Sequence, residues 1–276
     1  MLGLELYKIF RRPRTYISFL IMTAVTFLIQ LAMYVDGSSF VSFAMQGVGE
    51  QFDISGNIMN GYLVTYLVLQ SLLIHIPLLV ALVAGDVLAG EANMGTMRLL
   101  LTKPVSRWQV VIVKYIASVL YALLLLVWLA VVGLGLSLLL FGTGDMINMK
   151  SDAFIMLLEN DILWRYMLAF AFAALAMATV AALSVFMSVF ADNSIGPIIG
   201  TMGVIVVLTI FSNLEIPLFN LVKPYLFTTH MIAWKGFFDT PVPYDAILHS
   251  VLVLVAYIVV FIGATIVVFN KKDIQS

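Results

Sequence analysis

GEANMGTMRLLLTKPVSRWQVVIVK, residues 90–114, sets one glutamate, four basic residues and a proline between two long apolar runs. The fold depends on whether those flanking runs form a soluble core or cross a membrane. Composition decides it. Of 276 residues, 63% are hydrophobic and 11% charged, with a mean hydropathy of +1.09, whereas soluble domains carry about 25% charged residues. The flanks therefore read as membrane spans, and the charged stretch as the elbow that returns the chain to the bilayer.

A helix needs roughly 20 apolar residues to cross the hydrocarbon. Six stretches satisfy this, 15–35, 62–84, 108–141, 164–191, 195–213 and 246–269. The polar segments between them are too short to bury a core of their own, so residues 1–276 read as a single all-α polytopic membrane domain. Tyr16, Tyr34, Tyr62, Trp108, Phe141, Trp164 and Phe269 stand at the edges of these runs, where interfacial aromatics are enriched. The first run is long and no small-residue cleavage site ends it, so it reads as a retained span rather than a signal peptide. The third exceeds what a bilayer needs, which predicts that its first turns, with Lys114, project into water or headgroups.

Orientation follows from the basic residues. With the N-terminus cytoplasmic, ten of the fourteen Lys and Arg fall inside, in the N-terminal segment, the elbow and the C-terminal end. That predicts both termini on the cytoplasmic side. The outer stretch 151–164 carries a Ser/Asp cap signal and predicts a short interfacial helix. Residues 214–245 are apolar but broken by Pro217 and Pro224, which predicts a re-entrant outer segment between spans five and six.

Within the elbow, Glu91, Gly95, Arg98 and Thr102 share one helical stripe, while Met94, Met97, Leu100 and Leu101 occupy another face. This predicts an amphipathic helix over 86–106 lying along the membrane. Pro104 ends it, and Ser106 can cap the following span. The order of residues resembles the cytoplasmic loop of ABC-2 type transporter permeases, the membrane subunits of ABCG-like exporters. The matching positions are Glu91, Gly95, Thr96, Leu99 to Leu101, Pro104, Arg107 and Lys114. The likeness extends to LELYKIFRRPRTYI (residues 4–17), with Glu5 and Lys8, and to FNKKDI (residues 269–274).

That resemblance implies a permease subunit in a prokaryotic cytoplasmic membrane, working as a dimer with a second copy or a related permease. Two separate ABC ATPase subunits would bind ATP and Mg, and the elbow would be the coupling helix docked on them. Glu91 and Arg98 would offer charge-assisted contacts to the partner, and Gly95 a close approach. Export is the implied direction.

The chain itself carries no G-x-x-x-x-G-K-[ST] loop for phosphate. The net charge of −1 gives no support for nucleic-acid binding. With no cysteine there is no disulfide or thiolate metal site, and the scattered methionines read as packing rather than a copper relay. His75, His230 and His249 lack ligand spacing. Gln30, Gln70 and His75 are candidates to line a pathway, since polar groups at membrane depth face a cavity or a partner, although Gln30 and Gln70 can equally bond between helices. The small-residue run 171–184 predicts close helix packing. The alternative to a permease is a membrane-embedded hydrolase or ligand-binding membrane subunit, which lacks paired acids and a nucleophile at recognisable spacing.

Overall fold

A computed structural model describes residues 1–44, 59–72, 75–96, 106–149, 154–214 and 220–272. Six helical stretches among them are long and apolar enough to cross a membrane, namely Pro13–Gly37, His75–Asn93, Arg107–Phe141, Glu159–Phe190, Ile195–Asn213 and Tyr244–Lys271. The chain is a mostly helical, multi-pass membrane protein. In order, the helices are α1 (Leu2–Arg11), α2 (Pro13–Ala44), α3 (Gly61–Ser71), α4 (His75–Ala84), α5 (Asp86–Asn93), α6 (Arg107–Leu129), α7 (Leu136–Phe141), α8 (Glu159–Phe190), α9 (Ile195–Asn213), α10 (Phe227–Met231) and α11 (Tyr244–Lys271). A π-helical turn, Ala130–Gly135, joins α6 to α7.

Helix α8 is the centre of the bundle, packing against α4, α5, α6, α9 and α11. Its run from Ala176 to Val185 is buried at every position, as the small residues there require, because short side chains let helix backbones approach closely. Gly85, between α4 and α5, meets this surface. A Cβ at Gly85 would lie 2.8 Å from Ala81 O, 3.1 Å from Pro197 Cβ and 3.3 Å from Ser184 Oγ, so a larger residue would force the local backbone to shift.

Two irregularities inside the helices are repaired by neighbouring side chains, as a membrane interior demands. At the α4–α5 junction, Ser188 Oγ of α8 donates to Gly85 O (2.6 Å) and accepts from the backbone N–H of Ala89 (2.8 Å). At the π-helical turn, Gln30 Nε2 donates to Val132 O (2.9 Å), Gly133 O (3.2 Å) and Ser137 Oγ (2.9 Å).

The stretch before α8 differs from expectation. Instead of an interfacial helix it forms a hairpin of β1 (Met146–Met149) and β2 (Phe154–Leu157), antiparallel with Met146 opposite Leu157. The reason is a period of two: Met146, Asn148 and Leu157 point inward while Met156 is exposed, so alternate residues serve a core face, which a strand provides and a helix does not. Helix α8 then starts at Glu159, whose N–H is capped by Asp145 Oδ1 at 2.8 Å. The expected Ser/Asp cap at 151–152 lies outside the described residues.

Residues 220–243 form short turns, a 3-10 turn at Lys223–Tyr225, α10, and a second 3-10 turn at Ala233–Phe238. Phe227, Met231, Trp234, Phe237 and Phe238 are buried. Arg165 of α8 fastens the segment, with Nη1 donating to Phe237 O (2.7 Å) and Asp239 O (2.8 Å) while Nη2 reaches Asp161 Oδ2 (2.6 Å). Asn148 Nδ2 adds a bond to Phe238 O at 3.2 Å. Hydrogen bonds to a charged group contribute about 1.5–3 kcal/mol each. Arg165→Met is therefore expected to lower the unfolding midpoint of the purified protein and to accelerate amide exchange at 233–239, leaving 86–96 at the wild-type rate.

Candidate functional site

Glu91 and Lys114 of the elbow converge on one end of the bundle, where three carboxylates and four cations from α1, α2, α5, α6 and the Arg12 link meet. Their centre is Lys114. It is 1% exposed, and an ammonium has three N–H groups to satisfy. Lys114 Nζ lies 2.9 Å from Glu5 Oε2, 2.9 Å from Glu91 Oε1 and 2.7 Å from Val87 O. The expectation that Lys114 reaches water or headgroups is thus corrected: with an acceptor for every proton, the charge is held inside.

Glu91 is likewise turned inward. Its Oε1 also accepts from Lys8 Nζ at 2.7 Å, and Lys8 bridges to Glu5 Oε1 at 2.7 Å. Glu91 Oε2 is shielded and has no hydrogen-bond partner. With the carboxylate 4% exposed and committed to two lysines, Glu91 fixes α5 to α1 and α6 instead of presenting a charge outward. Beside this group, Asp86 of α5 is in contact with Arg12 and lies 3.1 Å from Arg14 Nη1. Burial opposes ionisation of Glu5, but the charges of Lys114 and Lys8 outweigh it and hold its carboxyl below the ordinary range. Burial also opposes the charge of Lys8, and its hydrogen bonds to Glu5 and Glu91 raise it above the ordinary lysine value.

Helix α5 ends sooner than the pattern over 86–106 predicts. Gly95 adopts φ +67°, the left-handed conformation that glycine tolerates. Thr96 N–H donates to Glu91 O (3.0 Å) and Gly95 N–H to Ala92 O (3.1 Å), the paired bonds of a Schellman helix terminus. The Gly95-Thr96 pair is therefore a stop signal, and the helix it ends continues span two instead of lying flat as a separate element. The tip from Asn93 to Thr96 is exposed. Arg98, Leu101 and Pro104 lie outside the described residues.

The chain re-enters at Ser106, whose N–H is met by Gln109 Oε1 at 3.3 Å. Arg107 turns toward the end of α11, with Nη1 within 3.1 Å of the carbonyls of Phe269, Asn270 and Lys272. A cation there satisfies the orphan acceptors and the negative end of the helix dipole. Lys272 Nζ in turn donates to Val189 O of α8 at 2.9 Å. The N-terminal helix, the elbow and the end of α11 thus occupy the same end of the bundle.

The candidate pathway residues separate. Gln30 is fully buried at the π-helical turn and serves as a bond between helices. Gln70 and His75 are exposed on the outer surface of the chain, near the break between α3 and α4, with His75 Nδ1 3.1 Å from Ser71 O. His230 is buried between Pro224 O (2.8 Å) and Ser250 Oγ (3.0 Å). Asp86 escaped the sequence reading. Its signal was a lone acid in the apolar run VAGDVLAG, which in a span needs a cation, but nothing in the sequence pointed to Arg12 and Arg14 as the partners that the fold supplies.

Two outcomes follow for this end of the bundle. Gly95→Ala places a side chain in the left-handed region and is expected to cost about 1–2 kcal/mol, read as a lower unfolding midpoint with faster exchange at 91–96. Because the Glu5 carboxyl titrates lower in the folded state than its ordinary 4.5, its stabilisation is complete above that pH and is lost as pH falls through the lower folded value. Glu5→Gln should accordingly be less stable than wild type at pH 7, and the difference should shrink below pH about 4.5 when both are followed by thermal unfolding.

Comparison with known proteins supplies the kinship. A 63-residue stretch is 43% identical to the uncharacterized protein YhcI of Bacillus subtilis (strain 168), covering 23% of this chain and 20% of that relative. The alignment thus spans about a fifth of the relative's length. Residues 19–275 match the family described as "Protein of unknown function (DUF2705)". With nearly its whole length matched, this chain belongs to the DUF2705 family.

Proposed function

We propose that this protein is the membrane-spanning permease subunit of an ATP-driven transporter of the ABC-2 type, with the ATPase on separate chains. The observation that carries the reading is the way α5 is built. It prolongs span two along α8, ends in an exposed tip at Asn93–Thr96, and is fastened through Glu91 and Asp86 to α1, α2 and α6. A push on that tip cannot be absorbed locally, because moving α5 alone would strip Lys114 of acceptors in a low-dielectric setting.

In this reading the N-terminus, the elbow and the C-terminal end face the cytoplasm, in keeping with the basic residues gathered there. The tip and the residues that follow it, with Arg98 and Pro104, form the docking surface for an ABC ATPase, two of which bind ATP and Mg in the complete assembly. Glu91 acts on the coupling by holding the helix, and Arg107 by tying the third span to the sixth. A second copy or a related permease covers the outward Gln70 and His75, whose polar atoms would otherwise meet lipid. Residues 220–243 dip into the outer leaflet as a re-entrant cover of the exit. ATP favours one orientation of the dimer only through its different affinity for the two.

The test uses the absence of native cysteine. Cysteines introduced at Thr96 and, in the 3-10 turn Lys223–Tyr225 that follows α9, at Lys223 are treated with a short bifunctional thiol crosslinker in native membranes. Adducts between Thr96→Cys and a chain that binds ATP, with none from Lys223→Cys, are expected. If no ATP-binding chain is captured at Thr96 and none accompanies the protein from mild detergent, the permease reading fails.

A further inference from the structure

A second feature of the charged end is not used by the coupling role. Arg12 and Arg14 share a single carboxylate, Asp86, leaving one positive charge in excess at an open cleft lined also by Pro13, Gly90 and Ser194. Both guanidiniums are partly exposed, 30% for Arg12 and 42% for Arg14. Arg14 Nη1 is shielded and, though near Asp86, makes no hydrogen bond. Burial and the neighbouring charge of Arg14 both act against the cation on Arg12 and outweigh the more distant charges of Glu91 and Glu5. Gly90 keeps the space open: a Cβ there would fall 2.5 Å from Asp86 Oδ1 and 3.0 Å from Arg12 Nη1.

The depth of the cleft points to the occupant. Pro13 and Ser194 stand at the starts of α2 and α9, where two spans enter the membrane. From there, exposed apolar side chains continue inward, Ile17 and Leu20 along α2 and Ile195 and Ile199 along α9. An amphiphile with an anionic head matches that sequence of environments. At the start of α9, Asn193 Oδ1 already takes the N–H of Gly196 at 2.8 Å, so the attraction comes from the two arginines.

We propose that this cleft binds the phosphate of a net-anionic phospholipid headgroup. The exposed part of the Arg14 guanidinium supplies the donors and the head's negative charge neutralises the excess that Asp86 leaves. The inference rests on the chain's crossing a membrane and does not depend on an ATPase partner. A guanidinium suits phosphate because its planar fork offers paired N–H donors, and a basic residue at an anionic surface contributes about 1 kcal/mol. The site holds α1 to the membrane surface and so steadies the ion cluster from outside.

The purified full-length protein is reconstituted with phosphatidylglycerol and phosphatidylcholine in equal amounts, and retained lipid is counted by native mass spectrometry. A parallel thermal-unfolding series adds each lipid, or inorganic phosphate at the same phosphate concentration. Wild type is expected to retain about fivefold more phosphatidylglycerol than phosphatidylcholine and to be stabilised by it. Inorganic phosphate should leave the midpoint unchanged. Arg14→Gln should abolish the preference, Arg14→Lys should keep part of it, and Lys223→Gln, in the 3-10 turn Lys223–Tyr225, should keep it fully. Stabilisation by inorganic phosphate equal to that by phosphatidylglycerol would assign the cleft to a free anion and overturn the lipid proposal. So would an unchanged preference in Arg14→Gln, including the case in which that variant loses only a protein partner. Should Arg14→Gln not fold, Arg14→Lys and the wild-type lipid series decide between the same outcomes. Because no arm measures ATPase capture, failure here is distinct from failure of the permease reading.

Discussion

A lysine ammonium buried at the end of a membrane bundle is the constraint around which this structure is arranged. Taking a charge out of water costs several kcal/mol even after relaxation, and the buried Lys114 ammonium is met by hydrogen bonds to Glu5 and Val87 O and by an ion pair with Glu91. Those acceptors belong to α1 and α5, and the lysine to α6, so three elements must converge before any one of them is stable in place. The apolar contacts beneath follow the same convergence, with Ile9 of α1 packed on Val83, Ala117 and Tyr121. Asp86 extends the set to α2 through Arg12 and Arg14.

The same logic, applied to neutral groups, explains the interior. A bilayer offers no water to a freed carbonyl, and two of the irregular places in the helices are matched by a polar side chain from an adjoining helix. Ser188 answers the junction at Gly85, and Gln30 answers the π-helical turn at Ala130–Gly135. At the opposite end, Arg165 holds the carbonyls of Phe237 and Asp239 and pins residues 233–239 to α8. These contacts make the irregular places the most firmly specified ones, since each breaks at a cost that an apolar contact does not carry.

On the proposed reading, this arrangement divides labour between anchoring and contact. Glu91 and Lys114, two of the charges in the elbow's sequence pattern, are spent inside the chain, and the described end of α5 offers an exposed tip from Asn93 to Thr96. A partner would then grip shape and backbone at the tip while the ion cluster carries the displacement inward. The arginine cleft beside it faces the lipid, so the end of α5 is held between the bundle, the membrane surface and whatever docks from the aqueous side.

The amino-acid sequence alone marked six stretches long and apolar enough to cross a membrane, and six such helices stand among the described residues. Span length and hydropathy are local quantities, and observed and expected spans one and three to six agree to within a few residues, apart from α8, which starts five residues early; the second, expected at 62–84, is instead divided into α3 and the candidate span His75–Asn93. The hidden polar pattern was legible in part: the small residues at 171–184 announced the packing of α8, and Ser106 the start of α6. What the sequence could not show was the direction in which the elbow's charges point. A helical wheel places Glu91 and Gly95 on one stripe, but it holds no information on whether that stripe meets solvent or another helix of the same chain. Only the tertiary structure, by bringing residues 5, 8 and 114 against residue 91, made Glu91 an interior group. It likewise made Gly95 a terminator, because the bonds of Thr96 to Glu91 and Gly95 to Ala92 close at a left-handed backbone angle that no periodicity records. The hairpin at 146–157 was decided in the same way: four apolar residues in a row suit a strand or a helix equally, and pairing with Met146–Met149 across the chain selected the strand.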